Sequence, residues 1–153
     1  CDQFRNAGYA TVEVGTKGTD FSGVQGSIDL IGKTSLEQIL YLMQMENCVG
    51  VLAADTGLAH LASHLRIPTT VLFGPTDPVF WGYPGNLNLT SQHDCHLSPC
   101  WLTMPNWFTA CRLVAEMRLD EPPNTPPGCM SAFNPGTVVS QALAHFDVDS
   151  LPT

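Results

Sequence analysis

The order of apolar and polar residues predicts an α/β fold for the first half of the chain. Residues 10–15 alternate and end on a glycine, which indicates a short strand, and residues 28–31 form a second short apolar run. Residues 48–54 are continuously apolar, which is typical of a strand buried on both faces, and residues 69–73 form another buried strand. Because helical patterns separate these strands, we expect a Rossmann-like parallel sheet with flanking helices and right-handed crossovers.

Two helices are predicted between these strands. Thr34 and Glu37 form a capping box, so the first helix is expected from residue 35 to about residue 46. The second helix follows residues 55–57, and Pro68 ends it. The apolar positions that carry these two predictions are Leu36, Ile39, Leu40 and Met43 in the first helix, and Leu58, Leu61, Ala62 and Leu65 in the second.

The regular pattern stops after residue 83. Residues 84–133 are rich in proline, asparagine, cysteine and tryptophan, which predicts an irregular segment. A last helix is expected after it, with Asn134 as N-cap and Pro135 at the first helical position. Its buried positions are expected to be Val138, Val139, Ala142, Leu143 and Phe146.

Composition and charge exclude several classes of protein. The chain has 153 residues, a net charge of −8 and only 6 lysines and arginines, which argues against a nucleic-acid or anionic-membrane binder. Its longest apolar run, residues 48–54, is far shorter than the ~20 residues that span a bilayer. The chain begins with Cys1 rather than with methionine, and its first residues do not resemble a signal peptide. We therefore expect a piece of a larger protein.

A candidate ligand site follows the strand at residues 48–54. Asp55, Thr56, Gly57 and Leu58 lie where an open α/β sheet binds ligands, at the carboxyl end of a strand and the start of a helix. A helix start offers unpaired amides and partial positive charge, which suit a phosphate group. The Thr56 hydroxyl can donate to the same ligand, and His60 is within reach on the first turn. The alternative is that Asp55 only caps the helix and Gly57 only turns the chain.

A second loop is expected on the same rim. Residues 74–78, Gly-Pro-Thr-Asp-Pro, end the next strand, and adjacent parallel strands bring their following loops together. Gly74, Thr76 and Asp77 are therefore expected to form a crevice with the residues after Ala54. A simple proline and glycine turn would explain the same residues.

These motifs together resemble a known family. Residues 55–62, 67–68, 72–78 and 81–83, preceded by Gly-Lys-Thr-Ser-Leu at residues 32–36, resemble the donor-binding half of the heptosyltransferases, glycosyltransferase family 9. The resemblance implies a GT-B architecture of two Rossmann-like domains, with the nucleotide-sugar in the C-terminal one. It also implies an inverting transfer that needs no metal, typically of heptose from an ADP-activated donor to the core of lipopolysaccharide.

The resemblance assigns roles to individual residues. Asp55 would contact the sugar or the adjacent phosphate, and Thr56 with the backbone of residues 57–58 would hold the diphosphate. His60 would lie against the donor. Thr16 and Lys17 fall where the family contacts the nucleoside.

The resemblance also indicates what this chain lacks. The family's N-terminal domain supplies the acceptor site and the general base, and no candidate for that base is found here. We therefore expect donor binding without turnover until an N-terminal acceptor domain or a partner chain completes the enzyme. The alternative is a non-catalytic binding or interaction module on the same fold. The expected location is cytoplasmic, with peripheral attachment at the inner membrane face left open.

The resemblance also divides the chain. Residues 1–90 would form the nucleotide-sugar-binding region without its first strand, residues 91–133 a segment rich in cysteine, proline and tryptophan, and residues 134–153 the final helix and tail. Four cysteines fall in or beside the middle segment. They are compatible with a structural zinc site, to which His93 and His96 can contribute, with two disulfides, or with unlinked thiols. The four cysteines are Cys95, Cys100, Cys111 and Cys129.

Two other motifs are set aside. Residues 32–34, Gly-Lys-Thr, lack the spacing that a phosphate-binding P-loop requires, because five residues rather than four separate Gly26 from Gly32. Residues 55–57, Asp-Thr-Gly, match the aspartic-protease triplet, but that triplet lies in an all-β fold and helical periodicity follows here.

Overall fold

The computed structural model describes residues 1–16, 24–91, 98–101, 111 and 128–149. The strands are β1 Val12–Glu13, β2 Ile28–Asp29, β3 Val51–Ala54, β4 Thr69–Phe73 and β5 Leu87–Thr90. The helices are α1 Asp2–Asn6, α2 Leu36–Met43, α3 Gly57–His64, α4 Pro78–Trp81, α5 Gly128–Ser131 and α6 Pro135–Asp149.

All strand pairs in the described chain are parallel, as predicted. β1 pairs with β2, and β3, β4 and β5 form a three-stranded sheet in that order. The register of β3 and β4 runs from Val51 opposite Thr69 to Ala54 opposite Leu72. Helices α3 and α4 connect the strands of this sheet, which is the α/β, Rossmann-like arrangement expected from the sequence.

β4 is the buried centre of the sheet, and it spans the predicted residues. Thr69 and Thr70 are completely buried, and Val71 and Phe73 are each 2% exposed. The prediction for β3 was wrong in two respects: the strand starts at Val51 rather than at residue 48, and it is not buried on both faces, since Ala54 is exposed and Leu52 is 38% exposed. The reason for the exposure is position: β3 lies at the edge of the described sheet, whereas β4 lies between two neighbours.

Two apolar clusters of the core involve the helices that follow β2 and β3. In one, Ile39 and Met43 of α2 pack with Ala62 of α3, and Val14 and Val51 pack against them. In the other, Ala59 of α3 packs with Val71 and Phe73 of β4. Leu36, which was predicted on the buried face of α2, is instead 57% exposed.

The capping prediction for α2 was wrong by one residue. The N-cap is Ser35, whose hydroxyl accepts a hydrogen bond from the amide of Gln38 while the Gln38 side chain accepts from the Ser35 amide. The sequence contains two overlapping capping boxes, and the Thr34 hydroxyl donates instead to the carbonyl of Leu30 at 3.4 Å.

Local sequence determines where α3 ends and where α6 begins. α3 ends at His64, before the predicted stop at Pro68, because Arg66 adopts the left-handed conformation with φ 60°. α6 begins as predicted: the Asn134 side chain accepts from the amide of Thr137 at 3.1 Å, and Pro135 is the first helical residue. Three predicted positions of α6 are buried, namely Val138, Ala142 and Phe146.

Candidate functional site

The candidate site lies at the carboxyl end of β3, where the chain turns into α3. The amide of Asp55 donates to the carbonyl of Leu72 at 3.2 Å, so Asp55 continues the pairing of β3 with β4 by one residue. The loop after β4 therefore starts beside Asp55, on the same rim of the sheet. This is the position at which open α/β sheets bind their ligands.

The start of α3 has free hydrogen-bond donors. Its N-cap is Thr56 rather than Asp55, and the Thr56 side chain makes no capping hydrogen bond. The amides of Ala59 and His60 donate to the Thr56 carbonyl, whereas within the described chain the amides of residues 57 and 58 donate to no backbone or side-chain acceptor. The helix start thus presents two amides and one hydroxyl to a ligand.

Gly57 is not required for the turn itself. Its φ lies outside the left-handed region, and a Cβ at this position would meet no atom within 4 Å. The structure therefore leaves open space in front of the first turn of α3. The alternative explanations, in which Asp55 caps the helix and Gly57 turns the chain, do not hold for this geometry.

Asp55 and His60 form a pair at the base of this space. His60 Nε2 lies 3.3 Å from Asp55 Oδ1, and the Asp55 side chain is only 10% exposed. Asp55 Oδ1 is buried and accepts no hydrogen bond from the residues that the structure describes. A buried carboxylate oxygen is costly without a donor, so this atom is poised to accept a hydrogen bond from His60 or from a ligand.

Two aromatic side chains surround His60 on the other elements of the rim. The Tyr83 ring lies edge-on to the imidazole at 5.6 Å between centroids, and the Trp81 ring lies at 6.4 Å. Sequence reasoning used both residues for the family resemblance but gave neither a role at the site. Their shared signal is the Trp-Gly-Tyr triplet at the end of α4, but only the fold shows that it reaches His60.

The loop after β4 contains the other three predicted residues. Gly74, Thr76 and Asp77 line a pocket of about 200 Å³. Thr76 Oγ1 is buried and has no hydrogen-bond partner among the described residues, whereas Asp77 Oδ1 caps α4 by accepting from the amide of Val79 at 2.8 Å. Gly74 is buried against α5, since a Cβ there would lie 2.7 Å from Met130 Sδ. Of the three, Thr76 has the side chain that a ligand can use.

The two remaining predicted residues follow β1. Thr16 is exposed, and Val14, two residues earlier, packs in the same cluster as Leu58 of α3. Lys17 lies outside the described residues. The loop after β4 starts beside Asp55, but the described residues that line the pocket at Gly74, Thr76 and Asp77 include none of residues 55–60, so a crevice shared by the two loops stays a prediction. The contact of Thr16 and Lys17 with a nucleoside stays a prediction as well.

The zinc prediction likewise stays a prediction. Cys95 lies outside the described residues, Cys100 and Cys111 are half-buried, and Cys129 is buried in α5 beside Gly74. In the part of the chain that the structure describes, no three histidine, cysteine, aspartate or glutamate side chains are close enough to hold a metal ion.

Comparison with known proteins decides the family. Residues 5–101, well over half of the chain, match the family model of glycosyltransferase family 9 (heptosyltransferase). The chain belongs to this family. The resemblance inferred from the motifs at residues 32–83 is therefore confirmed, and with it the assignment of the parallel sheet to a GT-B glycosyltransferase.

Two curated family members are similar to this chain. It is 35% identical over 92 residues to lipopolysaccharide heptosyltransferase 1 of Pseudomonas aeruginosa, which covers 60% of this chain and 25% of that protein. It is 38% identical over 53 residues to lipooligosaccharide heptosyltransferase 2 of Haemophilus influenzae, which covers 35% of this chain and 15% of that protein. The chain thus spans about a quarter or less of the curated relatives. No solved structure matches it, and none of its described helices is long and apolar enough to cross a membrane.

Proposed function

We propose that this chain is the donor-binding domain of an inverting family 9 glycosyltransferase, and that it holds the diphosphate of a nucleotide-sugar at the start of α3. The observation that carries the proposal is the set of polar groups at that helix start. It consists of two amides without acceptors among the described residues, the Thr56 hydroxyl, which makes no capping hydrogen bond, and the buried Asp55 carboxylate beside His60. These groups match a ligand that presents phosphate oxygens to the amides and a hydroxyl to the carboxylate.

Among the described residues, no lysine or arginine is paired with Asp55 at the start of α3, which supports binding there through backbone amides. Arg5 and Lys33 are paired with their neighbours Asp2 and Asp29, and Arg66 follows the opposite end of α3. His60 is the one basic side chain, among the described residues, within ion-pair distance of Asp55.

Binding measurements test this proposal. Calorimetric titration of ADP, UDP and ADP-sugars into the chain is expected to give saturable binding, with the ADP compounds preferred as in a heptosyltransferase. His60→Ala is expected to weaken binding about tenfold, the loss expected for a hydrogen bond to a charged group. His64→Ala, one turn further along α3 and exposed, is the matched control and should bind like wild type. Absence of binding by all three ligands at millimolar concentration would contradict the site.

The proposed enzyme needs groups beyond this chain for transfer. An inverting reaction requires a general base on the face of the sugar opposite the leaving diphosphate. The names of the relatives point to the transfer of heptose in lipopolysaccharide or lipooligosaccharide, and an acceptor domain or partner chain would supply the base. We expect no sugar transfer by the 153 residues alone. Detectable release of ADP coupled to glycosylation of a core acceptor would refute this part of the proposal.

A further inference from the structure

The end of α4 and the turn after it contact His60 through two aromatic rings, Trp81 and Tyr83. The planes of Tyr83 and His60 meet at 61°, with centroids 5.6 Å apart, and those of Trp81 and His60 meet at 60°, with centroids 6.4 Å apart. The Tyr83 pair is edge-to-face, an arrangement that is attractive because the positive edge of one ring meets the negative face of the other, whereas the Trp81 pair is tilted. The imidazole is therefore held from outside its own helix.

The backbone of this segment is fixed by hydrogen bonds and by close packing. The Tyr83 carbonyl accepts from the amide of Asn86 and from Asn88 Nδ2, both at 3.0 Å. A Cβ at Gly82 would lie 2.5 Å from the carbonyl oxygen of Pro78 and 2.8 Å from Asn88 Nδ2. The two aromatic residues on either side of Gly82 therefore have little freedom to move together away from α3.

A second link joins the same turn directly to α3. Asn86 Nδ2 donates to Ser63 Oγ at 2.8 Å, and Ser63 Oγ donates in turn to the carbonyl of Ala59 at 2.7 Å. Ala59 immediately precedes His60 in the helix. The turn after α4 thus contacts α3 at two places, through the rings at His60 and through Asn86 at Ser63.

We propose that Tyr83, assisted by Trp81, is a positioning residue that orients the His60 imidazole toward Asp55 and the ligand. The role of His60 in ligand binding rests on the proposed function, whereas the orientation of its imidazole rests on the ring geometry. The His60 side chain is 35% exposed, so without the two rings it would be able to adopt other rotamers. Ordering the imidazole before a ligand arrives removes an entropic cost from binding.

The orientation can be tested in the unliganded chain. Nuclear magnetic resonance of the His60 side chain reports its χ1 rotamer, through three-bond couplings, and which ring nitrogen carries the proton. We expect both signals to change in Tyr83→Leu and to be preserved in Tyr83→Phe, which keeps the ring and loses only the hydroxyl. Tyr41→Leu is the matched control, because Tyr41 is 69% exposed on α2 and contacts no part of the site. Unchanged His60 signals in Tyr83→Leu would overturn the proposal.

A double-mutant cycle tests whether Tyr83 acts through His60. Tyr83→Leu is expected to weaken ADP binding about twofold to tenfold in wild type, from the usual strength of an aromatic pair. In the His60→Ala background the same substitution should have no further effect, since the ring it orients is gone. An equal loss in both backgrounds would overturn the proposal, as would wild-type affinity in Tyr83→Leu.

The two proposals fail in different ways. If wild type binds none of ADP, UDP and the ADP-sugars, the donor site is wrong, and the His60 spectra of the free chain still decide whether Tyr83 orients the ring. If ADP binds and the spectra are unchanged by Tyr83→Leu, the donor site stands and the positioning role is wrong. A thermal melt of each variant confirms that the comparison is made between folded proteins.

Discussion

Asp55 and His60 face each other across 3.3 Å from the two sides of the residue that caps α3. The cap residue between them, Thr56, contributes only its backbone to the helix, because its hydroxyl makes no capping hydrogen bond. The buried carboxylate and the imidazole thus lie at a helix start where the Thr56 hydroxyl and the amides of residues 57 and 58 are not used by the described part of the fold and are free to bind a ligand. Substitutions can therefore distinguish groups that stabilise the fold from groups that bind a ligand.

The first prediction compares two hydroxyls at helix starts. Thr56→Val removes a hydroxyl that the helix does not use, so the melting temperature should be almost unchanged while donor binding weakens about tenfold. Ser35→Ala removes a hydroxyl that accepts from the amide of Gln38, so it should cost about 1 kcal/mol of stability and leave binding intact. Thermal melts and ADP titrations of both variants check this. A marked destabilisation by Thr56→Val would show that the hydroxyl has a structural role.

The second prediction compares two glycines of the rim. An added Cβ at Gly57 meets open space, so Gly57→Ala should fold normally and weaken ligand binding by occupying the space before α3. An added Cβ at Gly74 would lie 3.1 Å from Cys129 Sγ and closer still to Met130, so Gly74→Ala should lose about 1–3 kcal/mol of stability. Chemical denaturation and calorimetry separate the two effects. Wild-type affinity for ADP in Gly57→Ala would mean that the ligand does not contact this helix start.

A third prediction concerns alkaline pH. The Tyr9 hydroxyl donates to Asp147 Oδ1 at 2.8 Å, and this hydrogen bond, together with the negative charge of Asp147, raises the pKa of Tyr9. An acid with a raised pKa in the folded state contributes stability that is complete below its unfolded pKa of about 10 and is lost as pH rises through the folded pKa. Stability should therefore fall above about pH 10.

Its control is the matched variant without the hydroxyl. Tyr9→Phe should be less stable than wild type at neutral pH, and the difference should disappear as the pH rises above about 10. Denaturant midpoints measured across this range provide the check. A difference in denaturant midpoint that stays the same at every pH would show that the Tyr9 hydroxyl does not contribute to the pH dependence of stability.

The fourth prediction concerns α6. Phe146 is 4% exposed and packs so closely over Gly50 that a Cβ on that glycine would overlap its ring. Phe146→Ala should cost about 3–5 kcal/mol, the usual loss for a buried phenylalanine. Leu36→Ala, at an apolar position that is 57% exposed, should change stability by no more than about 0.5 kcal/mol. Similar midpoints for these two variants would mean that α6 is not part of the core.

The sequence predicted best those features that depend on neighbouring residues. Strand β4 is recognisable because a run of β-branched and apolar residues, Thr-Thr-Val-Leu-Phe, is bounded by Pro68 and Gly74. The start of α6 is recognisable because Asn134 and Pro135 have strong preferences at helix ends. The placement of Asp55 at a strand end was also predictable, since the strand and the helix after it are both clear in the pattern.

What the sequence could not predict depends on contacts between distant residues. The two overlapping capping boxes before α2 have the same local chemistry, so only the folded loop selects Ser35 over Thr34. The exposure of Leu52 follows from its place at an edge, which an apolar run does not reveal. The approach of Tyr83 to His60 is a contact between residues far apart in the sequence, like the hydrogen bond of Asn86 to Ser63 beside it, which joins residues 23 positions apart.

The packing of α6 has a practical consequence for dissecting this protein. Sequence similarity to the family ends at residue 101, yet Phe146 covers Gly50 and Asp147 accepts from Tyr9. The matched residues therefore do not include the helix that packs on β4, and a chain shortened to them would expose the surface that α6 covers. Any recombinant fragment made to isolate the α3 site should keep the residues through α6.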